Sequence, residues 1–137
     1  MIGLDWGEAR VGVAVSDPLD ISSQPLTALK NDEKLISGLK DIVTKYSAEK
    51  IVVGLPRSLN GSLGSSAEKV KVFGEMIEKE LGIKPILWDE RLTTKLAQQT
   101  LRSAGVKAID QKSLIDASAA ALMLQSYMDS VAHEKKN

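Results

Sequence analysis

Residues 3–17 read GLDWGEARVGVAVSD, and they contain two short apolar runs separated by the turn-forming segment WGEAR. Such runs around a glycine turn are typical of a β-hairpin. We predict strands over Ile2 to Asp5 and Val11 to Ser16, followed by a weaker one over Gln24 to Leu29. The first strand ends on a carboxylate, Asp5, in an otherwise apolar segment. The fold therefore opens with an antiparallel meander that carries a charge at one end.

The composition limits the class of protein. With 137 residues, 43% of them hydrophobic, the chain has the size of one compact domain. We expect residues 1–132 to form a single domain and 133–137 a frayed tail. Eighteen basic residues balance eighteen acidic ones, so net charge offers no argument for nucleic acid or membrane. The chain has no cysteine, no signal-like segment and no long apolar stretch, and we expect a cytoplasmic protein without a membrane partner.

Helices and strands alternate after the meander. An apolar stripe predicts a helix, capped by Asn31 or Asp32 and built on Leu35, Ile36, Leu39, Ile42, Val43 and Tyr46. The segment KIVVGLP is typical of a buried parallel strand. A capping-box pair, Ser65 and Glu68, begins a second helix that Gly82 ends. KPILWDE predicts a fifth strand, TTKLAQQTLRSAG a third helix, and residues 113–132 a longer alanine-rich helix.

This order predicts an α/β fold with one mixed five-stranded sheet flanked by helices. Three opening strands pair antiparallel, whereas strands separated by helices return in parallel. We expect strand one at the centre, between strands two and four. Binding sites in such sheets lie beyond the carboxyl ends of the parallel strands. Asp5 ends strand one, and Asp89 and Glu90 end strand five, so these carboxylates could converge.

Four segments resemble one protein family. LDWGEARVGVAVSD, VVGLPRSLNGSLG, WDERLTT and DASAAALMLQSYM are similar in order and spacing to the YqgF, or RuvX, proteins, relatives of the RuvC Holliday junction resolvases. The resemblance implies a ribonuclease H-like fold. It also implies an endonuclease that matures the 5′ end of the 16S ribosomal RNA precursor, with Holliday junction resolution as the older proposal. Strand four ends VVGLP, without the acid that RuvC proteins carry there, and DER on strand five is the apparent substitute.

The same resemblance implies a site built from Asp5, Glu90 and Asp116, with Asp89 as neighbour or alternative to Glu90. The chemistry agrees, because phosphodiester hydrolysis uses divalent ions that neutralise charge and activate water. We therefore expect Mg²⁺ or Mn²⁺, as two ions, on these carboxylates. The alternative for the acids of strand five is a salt link to Arg91 or a cap of the following helix.

Asp116 has a competing interpretation as a helix cap. Ser113 and Asp116 form an S-x-x-D pattern, in which the acid stabilises the first turn of the last helix. In contrast, Ala119 and Ala120 on the next turn would let this helix approach the sheet and carry Asp116 toward Asp5. We favour the ligand over the cap.

Four basic residues are candidate nucleic-acid contacts: Arg10, Arg57, Arg91 and Lys95. They lie on the loops nearest the acids and would supply a local basic patch. Scattered surface charges are an equally good explanation for any one of them. The expected partner is structured nucleic acid, either precursor ribosomal RNA or branched DNA, including ribosomal assembly intermediates. The residues leave open whether the chain is a monomer or a homodimer.

Two other functions fit the residues less well. Actin-like ATPases also carry an Asp-x-Gly hairpin at their first phosphate loop, but they need two lobes around the nucleotide. A noncatalytic RNA-binding or ribosome-associated module would bind RNA equally well with and without Mg²⁺. The predicted function is therefore a metal-dependent endonuclease.

Overall fold

The computed structural model describes residues 1–56, 65–90 and 111–136. Its elements follow the predicted order, and the predicted helix over residues 93–105 lies outside the described residues. The strands and helices are β1 (Ile2–Trp6), β2 (Arg10–Ser16), β3 (Ser23–Lys30), α1 (Leu35–Tyr46), β4 (Ile51–Pro56), α2 (Ser65–Leu81), β5 (Ile86–Glu90) and α3 (Gln111–Lys136).

The five strands form one mixed sheet in the order β3-β2-β1-β4-β5. Strands β1, β2 and β3 pair antiparallel, and β4 pairs parallel with both β1 and β5. Strand β1 is therefore central, between β2 and β4. The predicted α/β class and strand arrangement are confirmed.

Alternation along the strands divides the apolar residues between two faces of the sheet. On one face, Leu4, Val13 and Val53 pack with α1 and α2. On the other face, Ala14 and Val52 pack with α3. We call these the α1/α2 face and the α3 face. A side chain on β1 therefore faces one helical layer or the other according to whether its position is even or odd.

Small residues let α3 lie close to the sheet. Ala117, Ala119 and Ala120 are almost fully buried. A Cβ added at Gly3 of β1 would lie 2.8 Å from Leu124 Cβ, and one added at Gly12 of β2 would collide with the main-chain oxygen of Asp116. The approach predicted from the alanines is confirmed, and the glycines of the sheet supply the other half of the space.

The predicted end of α2 is confirmed, whereas the predicted N-cap of α1 is not. Gly82 ends α2 with a positive φ of 72°, as predicted. The predicted cap of α1 is wrong, because the N-cap residue is Lys34 and makes no side-chain cap hydrogen bond. The Asp32 carboxylate instead accepts the Lys34 N–H in the preceding turn, and the Asn31 amide donates to the Gly7 carbonyl. Asn31 thus holds the β1–β2 turn.

No helix in the described part of the chain is both long and apolar enough to cross a membrane. The division into a domain of residues 1–132 and a tail of 133–137 stays a prediction.

The contact between Gly12 and α3 should be intolerant of a side chain. We expect Gly12→Ala to lower the free energy of unfolding by about 1–3 kcal/mol, because the added methyl group meets backbone that cannot rotate away. Urea denaturation measures this loss. The matched control is Gly38→Ala in α1, whose Cβ would lie 3.2 Å from the flexible end of Leu29. It should be neutral or gain up to about 1 kcal/mol from helix propensity. Equal stability of the two variants would contradict the close approach.

Candidate carboxylate site

Asp5 lies near the carboxyl end of the central strand, on the α3 face. It pairs across the antiparallel ladder with Gly12 of β2, and opposed residues in such a ladder share a face, about 4.5–5.5 Å apart at Cα. Gly3, two residues earlier on the same face, meets Leu124 of α3. The carboxylate therefore stands beside a glycine, in the layer that α3 covers.

Asp116 reaches the same end of the sheet from α3. Its main-chain oxygen occupies the position that a side chain on Gly12 would take, and Gly12 is the cross-strand partner of Asp5. The cap interpretation is wrong, because α3 begins at Gln111 and its first turn contains no acidic residue. The fold thus places Asp5 and Asp116 on one face, on either side of a residue without a side chain.

Asp116 forms an ion pair with Arg10. The Arg10 Nε donates a hydrogen bond of 2.7 Å to Asp116 Oδ2, and the two side chains are 35% and 25% exposed. Arg10 begins β2 two residues before Gly12, so it projects on the same face of the sheet. This partly buried ion pair places a positive charge directly against the Asp116 carboxylate.

Strand β5 brings Asp89 and Glu90 to the carboxyl end of β4. Their backbones pair with Leu55 and Pro56. By strand alternation, position 90 belongs to the face of Ile86 and Trp88, which pack against α3. Position 89 belongs to the opposite face. Glu90 is therefore the acid whose strand position matches the face of Asp5, two strands away.

Of the four predicted nucleic-acid contacts, one lies within the described residues. Arg10 is described, whereas Arg57, Arg91 and Lys95 lie outside the described residues.

Beside Arg10, the β1–β2 turn carries a second ion pair, in which Lys69 Nζ of α2 lies 2.6 Å from Glu8 Oε1. The hydrogen bond and charge of Lys69 lower the pKa of Glu8. This exposed pair ties the turn to the α1/α2 face.

The opposite face holds an apolar cleft of about 620 Å³, lined in part by Trp6, Phe73 and Met76. Asp5 and Asp116 do not line it, so it is separate from the carboxylates. Trp88 lies on the α3 face, where its ring meets Tyr127 edge-on at 5.4 Å. The two tryptophans therefore pack on different sides of the sheet.

Gly12 is the residue that the sequence analysis missed. A glycine within a strand signals a bulge or a close approach of another backbone, and the run VGVAV contains one at the position opposite Asp5. That signal was present in the sequence. What the pattern does not contain is the identity of the approaching segment, because α3 lies about a hundred residues downstream along the chain.

In the described part of the chain, no three acidic, histidine or cysteine residues are grouped closely enough to hold a metal ion. Of the predicted site acids, Asp5 and Asp116 are the two whose surroundings on this face the structure describes. Glu90 joins them by strand position alone, and the assignment of all three as a site stays a prediction.

Comparison with known proteins identifies the family. The sequence model of RuvX, described as Holliday junction resolvase, matches residues 1–130. The chain belongs to the RuvX family. Members of this family are nucleases, which makes the chain a hydrolase of phosphodiester bonds. The predicted resemblance is confirmed.

Curated RuvX relatives match over nearly their whole length. A protein of Listeria monocytogenes serotype 4b (strain CLIP80459), named "Putative pre-16S rRNA nuclease", is 42% identical over 94% of this chain and 96% of its own. A protein of Clostridium beijerinckii with the same name is 40% identical over 98% and 99%. The protein from Syntrophus aciditrophicus, also so named, is 43% identical over 98% and 91%.

Solved structures share the fold of this RuvX chain at low sequence identity. Thermus thermophilus RuvC superimposes with a TM-score of 0.55 at 14% identity, covering 97% of both chains. Fowlpox virus resolvase, in complex with Holliday junction DNA, gives 0.51 at 12% identity over 95% of this chain and 97% of its own. The ribonuclease H-like fold is thereby confirmed.

The Arg10–Asp116 pair should be measurable in a double-mutant cycle. We expect Arg10→Gln, Asp116→Asn and the double variant to yield a favourable coupling of about 0.2–1 kcal/mol in urea denaturation at low salt, because the pair is only partly buried. The coupling should shrink near 1 M salt, where the Debye length is about 3 Å. A coupling of zero at low salt would contradict a formed pair.

Proposed function

We propose that this RuvX chain is a metal-dependent endonuclease that acts in 5′-end maturation of the 16S ribosomal RNA precursor. The observation that carries the proposal is the close approach of α3 to β2, which leaves Asp5 and Asp116 on one face beside Gly12. Two predicted acids from opposite ends of the chain are thus both neighbours of Gly12, one across the strand pair and one through its main chain. The substrate class rests on the names of the curated relatives.

The donor set suits a hard divalent cation. Mg²⁺ prefers oxygen ligands and needs only one or two carboxylates from the protein, because it keeps several waters. Asp5 and Asp116 offer such oxygens, and no thiolate can compete with them, since the chain has no cysteine. The intervening strand β4 carries Gly54 on this face, paired with Trp88 of β5, and Pro56 is the register partner of Glu90.

The proposed roles follow from these positions. Asp5, Glu90 and Asp116 hold the ions, and Asp89 is the alternative to Glu90. Bound Mg²⁺ or Mn²⁺, as two ions, would neutralise charge at the scissile phosphate and make a bound water more acidic. Arg10 contacts the phosphate backbone of the substrate, together with Arg57, Arg91 and Lys95. The substrate's negative charge thereby meets a local basic patch within a chain of zero formal net charge.

Holliday junction resolution is the second candidate, because the family model bears that description. A noncatalytic ribosome-associated module is the third. The partners proposed are structured nucleic acid and ribosomal assembly intermediates, in the cytoplasm. These candidates differ in substrate and in metal requirement, so one assay separates them.

The assay incubates the purified chain with precursor 16S RNA and, in parallel, with a four-way DNA junction. We expect the RNA to be cut in Mg²⁺ or Mn²⁺. Ca²⁺ should support binding better than turnover, because its larger and looser coordination shell misplaces the attacking water. Asp5→Asn should lose more than about 100-fold in rate, beyond the range for loss of a second-shell partner of a metal.

Asp41→Asn is the matched control, because Asp41 is an exposed residue of α1, away from the α3 face, and the variant should cut at the wild-type rate. Cleavage of the junction alone would favour the resolvase. Undiminished cleavage in excess chelator would exclude the metal mechanism, and RNA binding without any cleavage would favour the noncatalytic module.

A further inference from the structure

The Arg10–Asp116 ion pair occupies a carboxylate that the proposed function assigns to a metal ion. Arg10 Nε lies 2.7 Å from Asp116 Oδ2, the distance of a charge-assisted hydrogen bond. The guanidinium is one-third exposed and Asp116 one-quarter exposed. Both side chains can therefore be reached from solvent, and neither is locked inside the core.

Simultaneous binding of a guanidinium and a divalent ion to Asp116 Oδ2 is electrostatically unfavourable. Two positive charges a few ångströms apart repel, and the repulsion is stronger in a partly desolvated site than in water. The Arg10 guanidinium is positively charged and offers only N–H donors. Its presence on Asp116 therefore lowers the affinity of that carboxylate for a cation for as long as the pair lasts.

The position of Arg10 at the start of β2 allows its side chain to leave Asp116. Arg10 stands next to the β1–β2 turn, and its main chain pairs with Lys30 at the edge of the turn. From there its long side chain can reach Asp116 or swing outward over the carboxyl end of β1. A planar guanidinium binds phosphate oxygens as well as carboxylate oxygens.

We propose that Arg10 is a displaceable counter-ion of Asp116. In the metal-free chain it neutralises Asp116 and keeps the two carboxylates compatible with a folded site. When a divalent cation binds, Arg10 is released from Asp116 and becomes available to a phosphate of the substrate. The inference rests on the proposed function, and it adds an order of events in which metal binding frees the substrate contact.

The size of the effect follows from competition. A ligand's apparent affinity falls by the fraction of molecules in which its site is free. A partly exposed ion pair leaves that fraction at about two-fifths to one-sixth. Removing the guanidinium should therefore tighten metal binding by about twofold to sixfold.

The test is Mn²⁺ binding, followed by the electron paramagnetic resonance signal of the free ion, without substrate. We expect Arg10→Gln to bind Mn²⁺ about twofold to sixfold more tightly than wild type and to cleave substrate more slowly. Arg10→Lys should fall between them, because an ammonium keeps the charge without the planar fork. Lys69→Gln, which breaks the neighbouring Glu8 pair, is the matched control and should bind like wild type.

A second measurement uses the unmodified chain. In nitrogen-15 spectra, the Arg10 Nε–H signal, assigned by its loss in Arg10→Lys, should move on titration with Mg²⁺ as the bond to Asp116 breaks. Unchanged or weaker Mn²⁺ binding by Arg10→Gln, or an unmoved Nε–H signal at saturating Mg²⁺, would overturn the inference. If wild type still cleaves with Mg²⁺ in that case, the proposed function stands. If neither wild type nor Arg10→Gln binds Mn²⁺, both fail.

Discussion

The close approach of α3 to the sheet is the constraint on which the rest of this structure depends. Two glycines, Gly3 and Gly12, remove side chains from the α3 face of the central strands, and buried alanines remove them from the helix. The helix backbone then lies directly over β2. This contact positions Asp116, because a residue on a helix seated further from the sheet would not reach the level of Asp5.

Strands β1, β2 and β4, which support that contact, are buried by helices on both faces of the sheet. Leu4 and Val13 are fully buried toward α1 and α2, and Ala14 and Val52 toward α3. Shifting β1 by one residue would exchange these faces and bring Leu4 or Trp6 to the position of Asp5. The register of β1 places the Asp5 carboxylate on the α3 face of the sheet, and the close packing of α3 brings Asp116 to the same end of that face.

The comparisons separate what is general to the fold from what belongs to the family. RuvC of Thermus thermophilus shares the fold at 14% identity, whereas the Listeria relative shares 42% of its residues with this chain. A fold can support many activities, so the similarity to RuvC at low sequence identity establishes the architecture alone. In this chain β4 ends at Pro56 and the acid of β5 is its register partner. This pairing is consistent with a site in which β5 supplies the acid that the end of β4 lacks.

The sequence by itself determined the strands, the helix over Leu35–Tyr46 and the end of α2 at Gly82, because turn residues and apolar periodicity act over a few residues. The central place of β1 followed from the rules for connecting strands, and the candidate acids came from the resemblance to the RuvX family. The sequence could not separate a ligand from a cap at Asp116, since S-x-x-D has the same local form in either case. The structure excludes the cap, because α3 is helical from Gln111 and Asp116 lies beyond its first turn. Only the packing of α3 on β2 places Asp116 against Gly12, and the role of Asp116 as a ligand stays a prediction. The tertiary structure also revealed the partnership of Arg10 and Asp116, 106 residues apart. Contacts at such separation depend on how whole elements pack, and no local pattern encodes them.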